Sequence, residues 1–259
     1  MKKLIIGNWK MNPKTIQTAR QIFASIEHRM PAVSAHTEVA IAAPFVFLPA
    51  LSHYSHHVKL GAQNVSWAEA GALTGEISGP QLKAWGTEFV VLGHSERRIY
   101  LGETDSMVCE KVKACLHFGI TPVVCLGGDE KPKKDDMRKL VTKQFNAITK
   151  GVLRKDLHKI IYVYEPSWAI STMKNSQPAT GEHAAELVQH IQDLLAKKLG
   201  KEMAKNCYIL YGGTVNKNNV HEFARYAFID GVLVGAASLD PDNFFEIIKE
   251  FNREAIHKL

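Results

Sequence analysis

Short apolar runs, rich in β-branched and aromatic residues, alternate along the whole chain with longer stretches in which apolar residues recur at helical spacing. The first pattern indicates buried strands and the second indicates amphipathic helices. Strands are predicted at residues 4–7, 38–43, 58–63, 89–92, 121–126, 160–164, 207–211 and 231–234. Helices are clearest at residues 15–29, 106–118, 135–151, 182–199 and 243–257, with shorter elements near 45–51, 80–84 and 218–223.

This order gives eight strand–helix units with no Pro/Ser-rich linker between them. Such alternation predicts parallel strands with helices outside, and a single α/β domain of about 250 residues is typical of a (β/α)8 barrel. A doubly wound sheet is the alternative, but no glycine fingerprint for a dinucleotide follows the first strand. We therefore predict one (β/α)8 barrel domain over residues 1–259, with its functional residues just after the strands.

The amino-acid composition limits the classes of protein to which the chain can belong. With 259 residues and 46% hydrophobic content, the chain can bury one large core or two modest ones. It has no run of 18 apolar residues, and its apolar N-terminal run is too short for a signal peptide, so we expect a cytoplasmic protein without a membrane partner. The cysteines lack paired C-x-x-C spacing, which predicts reduced thiols rather than a zinc site or disulfides. They are Cys109, Cys115, Cys125 and Cys207.

The net charge of +6 comes from 32 basic and 26 acidic residues, with lysines concentrated at 131–134, 150–159 and 197–205. No basic motif with interleaved aromatic residues accompanies them, so we expect no nucleic-acid partner. A solvated basic surface that helps an anionic substrate to approach is the simpler interpretation.

Glu165 is the carboxylate that attracts most attention, because it directly follows the predicted strand 160–164 and precedes Pro166. Proline cannot continue a strand ladder, and glutamate is a poor helix N-cap, so a functional role is favoured over a capping role. The next segment is unusually apolar for a surface loop, as expected of a lid that closes over a site. The predicted lid consists of Trp168, Ala169, Ile170, Ser171, Thr172, Met173 and Lys174.

Two further strand ends carry candidate chemistry. Lys10 follows the first strand, where its charge can meet a negatively charged substrate. His94 follows the fourth strand, and Ser95 opens a possible short helix whose N-terminus would keep the imidazole neutral. A neutral imidazole can donate a hydrogen bond to a developing alkoxide. The alternatives are a surface lysine and a structural histidine.

Glycine-rich junctions follow strands seven and eight, at residues 211–215 and 234–238. Glycines at such turns let backbone N–H groups approach an anion, and this is the usual phosphate site of the barrel fold. Each junction could also be a simple tight turn. A carboxylate, a neutral histidine, a lysine and a phosphate cradle, with no metal-ligand cluster or cofactor motif, suit proton transfer beside a carbonyl in a small phosphorylated substrate.

The chain resembles the triosephosphate isomerase family, which has the (β/α)8 TIM barrel fold, over essentially its whole length. The segments that carry the resemblance are 7–12 (GNWKMN), 63–64, 73–76, 93–98 (GHSERR), 102–103, 164–166 (YEP), 168–170 (WAI), 211–213 (YGG) and 230–231.

The resemblance implies an aldose–ketose isomerase of glycolysis and gluconeogenesis. In it, Glu165 would move a proton between neighbouring carbons of dihydroxyacetone phosphate, giving D-glyceraldehyde 3-phosphate through an enediolate. His94 would act as the neutral electrophile, while Lys10 and Asn8 stabilise charge. Glu96 matches the family's buried acidic position near the site and is a further implied catalytic residue.

The family also implies binding groups and a quaternary structure. The implied substrate- and phosphate-binding residues are Asn8, Lys10, Ser171, Thr214, Gly235 and Ala236. Thr74 matches a residue that reaches into the partner's active site in the family's homodimer. The family uses no cofactor, and we expect no metal.

This chain departs from the family pattern at the lid. Residues 171–173 read Ser-Thr-Met where Gly-Thr-Gly is usual, the following hinge is longer, and a glutamate usual after residue 127 is missing. A side chain at Ser171 restricts φ, and together with the longer hinge this predicts an active isomerase with altered lid kinetics. Thr214 and Ala236 also replace a serine and a glycine but keep the hydroxyl and the N–H. Two alternatives remain: a different barrel isomerase of phosphorylated sugars, and a non-catalytic phosphometabolite-binding or surface-adhesion protein.

Overall fold

Eight parallel strands pair in chain order and close into a barrel in the computed structural model, which describes residues 1–33, 35–128, 134–169 and 179–256. The strands are β1 (Lys3–Asn8), β2 (Thr37–Ala42), β3 (Val58–Ala62), β4 (Phe89–Leu92), β5 (Thr121–Leu126), β6 (Ile161–Tyr164), β7 (Ile209–Tyr211) and β8 (Gly231–Val234). Closure is made by β8 against β1, where Gly231 lies opposite Leu4 and Val234 opposite Gly7. Because this pairing closes the sheet, the predicted (β/α)8 barrel is confirmed and the doubly wound alternative is excluded. That one domain spans all of residues 1–259 stays a prediction.

The strand positions agree with the sequence prediction to within two residues, and the largest difference is at β7. This strand begins at Ile209 rather than at the predicted Cys207. The Asn206 N–H donates to the Met203 carbonyl and the Cys207 N–H donates to the Ala204 carbonyl, each across 3.1 Å. These N–H groups close a turn after a short helix, so they are not available to a strand ladder.

The helices follow the strands and cover the outside of the barrel. They are α1 (Ile16–Arg29), α2 (Leu48–Leu51), α3 (Gly79–Ala84), α4 (Ser95–Leu101), α5 (Asp105–His117), α6 (Lys134–Ile148), α7 (Gly181–Leu199), α8 (Lys201–Ala204), α9 (His221–Ala224) and α10 (Pro241–Ile256). Short 3-10 helices lie at Met30–Ala32, Phe45–Phe47, Ser52–Tyr54, Arg154–Lys159, Ser167–Ala169 and Ala236–Leu239. All five clearest predicted helices are present, whereas α8 was not predicted.

Side chains alternate between two cores because successive strand residues point to opposite faces. On β1, Leu4 and Ile6 point into the barrel, and Ile5 packs between the strand and the helices. The interior set is Leu4, Ile6, Ala40, Ala42, Phe89, Val91, Val123, Cys125, Ile161, Val163, Leu210 and Leu233. At the start of β4, Phe89 lies against Gly61, where an added Cβ would meet the Phe89 ring at 2.2 Å. The barrel is therefore filled with side chains below the strand ends.

The helix α7 confirms the predicted amphipathic face. The apolar residues at helical spacing that were expected to face the core are all buried: Ala184, Leu187, Val188, Ile191, Leu194 and Leu195. Its N-cap Thr180 accepts a hydrogen bond from the His183 N–H at 3.2 Å. Packing and capping together fix the start of this helix beside β6 and β7.

The structure also shows where the cysteines lie and whether the described residues form a membrane-spanning helix or a metal-ligand group. All four cysteines are buried and carry free thiols. In the described ranges, no helix is long and apolar enough to cross a membrane. Among those same residues, no group of three or more His, Cys, Asp or Glu side chains is placed to hold a metal ion.

Candidate active site

A cavity of about 320 Å³ opens at the carboxyl ends of the strands, the end at which barrel enzymes carry their active sites. Its lining brings together Asn8 and Lys10 after β1, His94 after β4 and Glu165 after β6. The remaining lining residues are Gly212, Gly213, Thr214, Val215, Asn216, Leu233, Gly235, Ala236, Ala237, Asp240 and Asn243. Both glycine-rich junctions therefore face the same cavity as the candidate proton-transfer groups.

Glu165 is 3% exposed, and both of its carboxylate oxygens have partners. Oε1 lies 2.8 Å from His94 Nε2, and Oε2 accepts a hydrogen bond from the Ser95 N–H at 2.9 Å. Its own N–H donates to the Leu126 carbonyl at 2.7 Å. At Gly127, φ is +155° and an added Cβ would lie 1.9 Å from the Glu165 carbonyl oxygen. Backbone contacts thus hold Glu165 at the mouth of the barrel, where its carboxylate also accepts the first N–H of α4.

His94 is the N-cap of α4, and its Nδ1 accepts a hydrogen bond from the Glu96 N–H at 3.3 Å. A ring nitrogen that accepts a hydrogen bond carries no proton, so the proton of a neutral ring is on Nε2. From there it points at Glu165 Oε1. The first turn of α4 therefore selects the tautomer that can donate from Nε2 into the cavity.

Lys10 has a backbone φ of +53°, an unusual value for a residue with a Cβ. Its N–H donates to Asn8 Oδ1 at 3.0 Å, and its carbonyl accepts from Gln63 Nε2 at 2.8 Å. Conformations of this kind cost about 1–3 kcal/mol and persist where surrounding contacts impose them. Asn8 and Gln63 thus hold Lys10 in this conformation, a role for Gln63 that we did not infer from the sequence.

Glu96 does not line the cavity in the part of the chain that the structure describes. Its Oε1 lies 2.5 Å from Lys10 Nζ, and its Oε2 is 3.7 Å from His94 Nδ1. Its side chain is 26% exposed, so Glu96 is half-buried and not buried as the resemblance implies, and the Lys10 side chain is 17% exposed. The carboxylate therefore contacts two cavity residues from outside the cavity.

The junction after β7 depends on glycine and contacts the end of β6. An added Cβ at Gly213 would lie 2.0 Å from the Tyr211 hydroxyl. The next residue, Thr214, donates both its N–H and its hydroxyl to the Ala169 carbonyl, at 2.9 and 2.6 Å. Its hydroxyl is therefore engaged with the 3-10 helix Ser167–Ala169. After the neighbouring strand β8, an added Cβ at Gly235 would lie 3.7 Å from Lys10 Cε.

Some of the predicted residues are not among the described residues that line this cavity. Trp168 and Ala169 belong to the 3-10 helix Ser167–Ala169, and the rest of the predicted lid, residues 170–174 including Ser171, lies outside the described residues. Thr74 is exposed on the long loop between β3 and α3, away from the cavity of its own chain.

A buried ionic cluster under His94 was not inferred from the sequence. Glu103 accepts hydrogen bonds from the Gly93 N–H at 3.1 Å, from Arg97 Nε at 3.2 Å and from Lys111 Nζ. Lys111 also donates to Asn64 Oδ1 at 2.8 Å. Burial alone would raise the pKa of Glu103, but the hydrogen bond and charge of Lys111, followed by Arg97, lower it below its usual value.

This cluster fixes the end of β4 immediately before His94. The available sequence signal was the position of Lys111 on the apolar face of α5, between Val108, Val112 and Cys115. A lysine on a buried face requires a buried carboxylate or other acceptors.

Known proteins of similar sequence identify the family of this chain. The family described as Triosephosphate isomerase matches residues 3–251. The triosephosphate isomerase of Solibacter usitatus is 40% identical over 254 residues, covering 95% of this chain and 98% of the relative. The enzymes of the same name from Acetivibrio thermocellus and Aquifex aeolicus are each 39% identical, covering 96% and 97% of this chain and 98% and 100% of the relatives. Matches of this length and identity, together with the closed barrel, show that the chain belongs to the triosephosphate isomerase family and is an isomerase.

Proposed function

We propose that this chain interconverts dihydroxyacetone phosphate and D-glyceraldehyde 3-phosphate through an enediolate, as a step of glycolysis and gluconeogenesis. The observation that carries the proposal is the 2.8 Å contact between His94 Nε2 and Glu165 Oε1 in a cavity that Lys10 also lines. A base, a neutral donor and a cation converging on one small space suit proton abstraction next to a carbonyl.

Glu165 is the proposed base. A carboxylate can remove the proton from the carbon next to the carbonyl and return it to the neighbouring carbon once the double bond has moved. In the present arrangement its oxygens are occupied by His94 and by the Ser95 N–H. A bound substrate must therefore take over the His94 contact, which turns the free carboxylate toward the substrate carbons.

His94 and Lys10 are the proposed electrophiles, with Asn8 beside them. The Nε2 proton of a neutral His94 is available to the substrate oxygen on which charge develops, and it can be exchanged between the two enediolate oxygens. The Lys10 ammonium supplies positive charge at the same end of the barrel. We assign Glu96 to the placement of that ammonium, which its 2.5 Å contact supports.

The proposed phosphate site lies at the junctions after β7 and β8. Gly213 has no room for a side chain, and Gly235 and Ala236 line the same space, so backbone N–H groups can approach an anion there. Ser171 and Thr214 are the remaining proposed contributors. Thr214 must release the Ala169 carbonyl if its hydroxyl is to bind phosphate.

Steady-state isomerisation of D-glyceraldehyde 3-phosphate tests the assignment. We expect Glu165→Gln to lose at least the factor of about 10²–10⁴ that a positioned base contributes. Glu88→Gln is the matched control, because Glu88 is an exposed carboxylate at the opposite end of the barrel. Wild-type turnover no faster than that of Glu165→Gln would overturn the proposal. Ligand binding without turnover would favour a binding protein, and turnover only of longer phosphorylated sugars would favour another isomerase.

We also propose a homodimer in which Thr74 reaches the partner's cavity. Large exposed apolar side chains occur on the segments that follow β1, β2, β3 and β4, which lie side by side in the barrel, and such a surface is typical of an interface. They include Met11, Val46, Leu73, Tyr100 and Leu101, with exposed fractions of 93, 77, 41, 67 and 65%. Light scattering should give twice the monomer mass for wild type and a monomer for Thr74→Arg. A monomeric wild type at micromolar concentration would contradict this assignment.

The proposed lid comprises Trp168 to Lys174, and the proposed location is the cytoplasm. The apolar sequence of the segment supports the lid, and four buried free thiols agree with a reducing compartment. Subcellular fractionation tests the location. Substrate-dependent protection of this segment from proteolysis tests the lid.

A further inference from the structure

We infer that His183 is a positioning residue for the base. Tyr164 and Trp168 are the aromatic residues that flank Glu165, and His183 holds both of them against the start of α7. The inference rests on the proposed function of Glu165. His183 is half-buried and is not among the described residues that line the cavity, so we assign its effect on catalysis to its contacts with these neighbours.

His183 makes a defined contact with each of the two aromatic residues. The Tyr164 hydroxyl lies 2.7 Å from His183 Nε2, within hydrogen-bonding distance. The Trp168 ring meets the His183 ring edge to face, with centroids 5.5 Å apart and an interplanar angle of 60°. Tyr164 immediately precedes Glu165 and Trp168 follows it by three residues. One imidazole therefore contacts both ends of the short segment that carries the base.

The alternation of strand side chains couples Tyr164 to Glu165. Tyr164 points outward into the layer between barrel and helices, whereas Glu165 faces the cavity. A rotation of the backbone that moves one side chain outward therefore moves the other as well. The segment leaves the sheet at this point, since Tyr164 is the last residue of β6 and Pro166 has no N–H to donate.

The outward side chain is held by a firm aromatic layer. Tyr164 packs on Tyr211 at a centroid distance of 6.4 Å, and Tyr211 stacks on Phe223 at 4.3 Å. Burial, followed by the nearby Tyr211 and Glu186, raises the pKa of Tyr164 well above its usual value. The group therefore remains a hydroxyl throughout the working pH range and can always hydrogen-bond to His183.

His183 is itself fixed by the helix that carries it. Its N–H donates to the Thr180 hydroxyl at 3.2 Å in the first turn of α7, and the Gly181 N–H donates to Glu222 Oε2 at 3.4 Å. The helix is 19 residues long and buries one full face. Tyr164 and Trp168 are thus tied to a rigid element rather than to a loop.

The test separates positioning from fold stability through three variants. Tyr164→Phe removes only the hydrogen bond, His183→Ala removes both contacts, and His183→Gln can restore a hydrogen-bonding group near Nε2. Because a misplacement of about 1 Å can cost about 10² in rate, we expect kcat to fall about 10-fold in Tyr164→Phe and further in His183→Ala. His183→Gln should recover most of kcat. The KM and the inhibition constant of inorganic phosphate should stay within about 2-fold of wild type, because the cavity walls on β7 and β8 are untouched.

His190→Ala is the matched control. His190 lies on the same helix, is half-buried, and has its Nε2 2.8 Å from the Thr142 hydroxyl of α6, away from β6. It should lower the unfolding midpoint without changing kcat. If Tyr164→Phe and His183→Ala keep wild-type kcat, or if His183→Gln fails to rescue a folded protein, the inference is wrong while the proposed function stands. A wild type without isomerase activity defeats both. Should His183→Ala not fold, Tyr164→Phe and His183→Gln decide the question.

Discussion

His94 Nε2 and Glu165 Oε1 are 2.8 Å apart, so the proposed electrophile and the proposed base contact each other directly. The contact joins the end of β4 to the end of β6, and Cys125 of β5 is buried between these strands. Because Nδ1 is committed to the Glu96 N–H, His94 has a single donor to offer, and it goes either to Glu165 or to a substrate oxygen. Substrate binding must replace this contact.

Replacement of His94 should therefore affect the rate more than binding. We expect His94→Gln to lower kcat by about 10²–10³, the usual effect of removing one donor to a developing oxyanion, with little change in KM. Steady-state kinetics measure both. His56→Gln is the control, since His56 is exposed and far from the cavity. If kcat stayed constant and KM rose by the same factor instead, His94 would contribute only to substrate binding.

Because the backbone at Lys10 is left-handed, we expect glycine at this position to give a more stable protein than alanine, the reverse of the usual order. Both Lys10→Gly and Lys10→Ala remove the ammonium and should be nearly inactive. At a φ of +53° glycine avoids the steric cost of a Cβ, so the glycine variant should have the larger free energy of unfolding, by about 1 kcal/mol. Urea denaturation compares the two. A more stable alanine variant would mean that the backbone relaxes when the side chain is lost.

Gly127 should be intolerant of a side chain because of its contact with Glu165. An added Cβ would lie 1.9 Å from the Glu165 carbonyl oxygen, so Gly127→Ala must displace the base and should lower kcat by about 10²-fold. Gly86→Ala provides the control: its φ is +70°, yet nothing lies within 4 Å of the added Cβ. That variant should lose about 1 kcal/mol of stability and keep wild-type kcat. Equal kcat values in the two variants would contradict the prediction.

The Glu103 cluster predicts a pH dependence of stability with a definite sign. The pKa of Glu103 in the folded chain lies below its usual value of 4.5, so its stabilising contribution is complete above pH 4.5. That contribution is lost as the pH falls through the folded pKa. Glu103→Gln should remove this dependence.

At pH 7 the same variant should cost about 3–5 kcal/mol, because Lys111 would be left buried without its carboxylate. Denaturant titrations at pH 7 and pH 4 measure both effects. The double variant Glu103→Gln, Lys111→Met should recover part of the loss. No recovery would indicate that Glu103 acts mainly through Arg97 and the Gly93 N–H.

Much of the fold follows from local pattern. The strand prediction was right to within two residues because buried parallel strands form short apolar runs, and the helices were found because their apolar faces repeat with the helical period. The start of β7 was wrong because hydrogen bonds after α8, rather than apolarity, decide where that strand begins. Lys10, His94 and Glu165 were found because the carboxyl ends of parallel strands meet at one end of a barrel.

Contacts between distant segments were not predictable in this way. The hydrogen bond from Gln63 to the Lys10 carbonyl, the bond from Lys111 to Asn64 and the link between His183 and Tyr164 each join residues far apart in sequence. Local periodicity assigns a residue to a buried or an exposed face, but it does not name the partner across that face.

The sequence by itself thus determined the positions of the strands and helices, the barrel class and the groups that follow the strands, because each depends on local periodicity and on strand polarity. Only the tertiary structure decided which groups touch. Barrel closure and strand register set the distances between strand ends, and buried polar atoms must then find partners within about 3 Å of wherever that geometry leaves them.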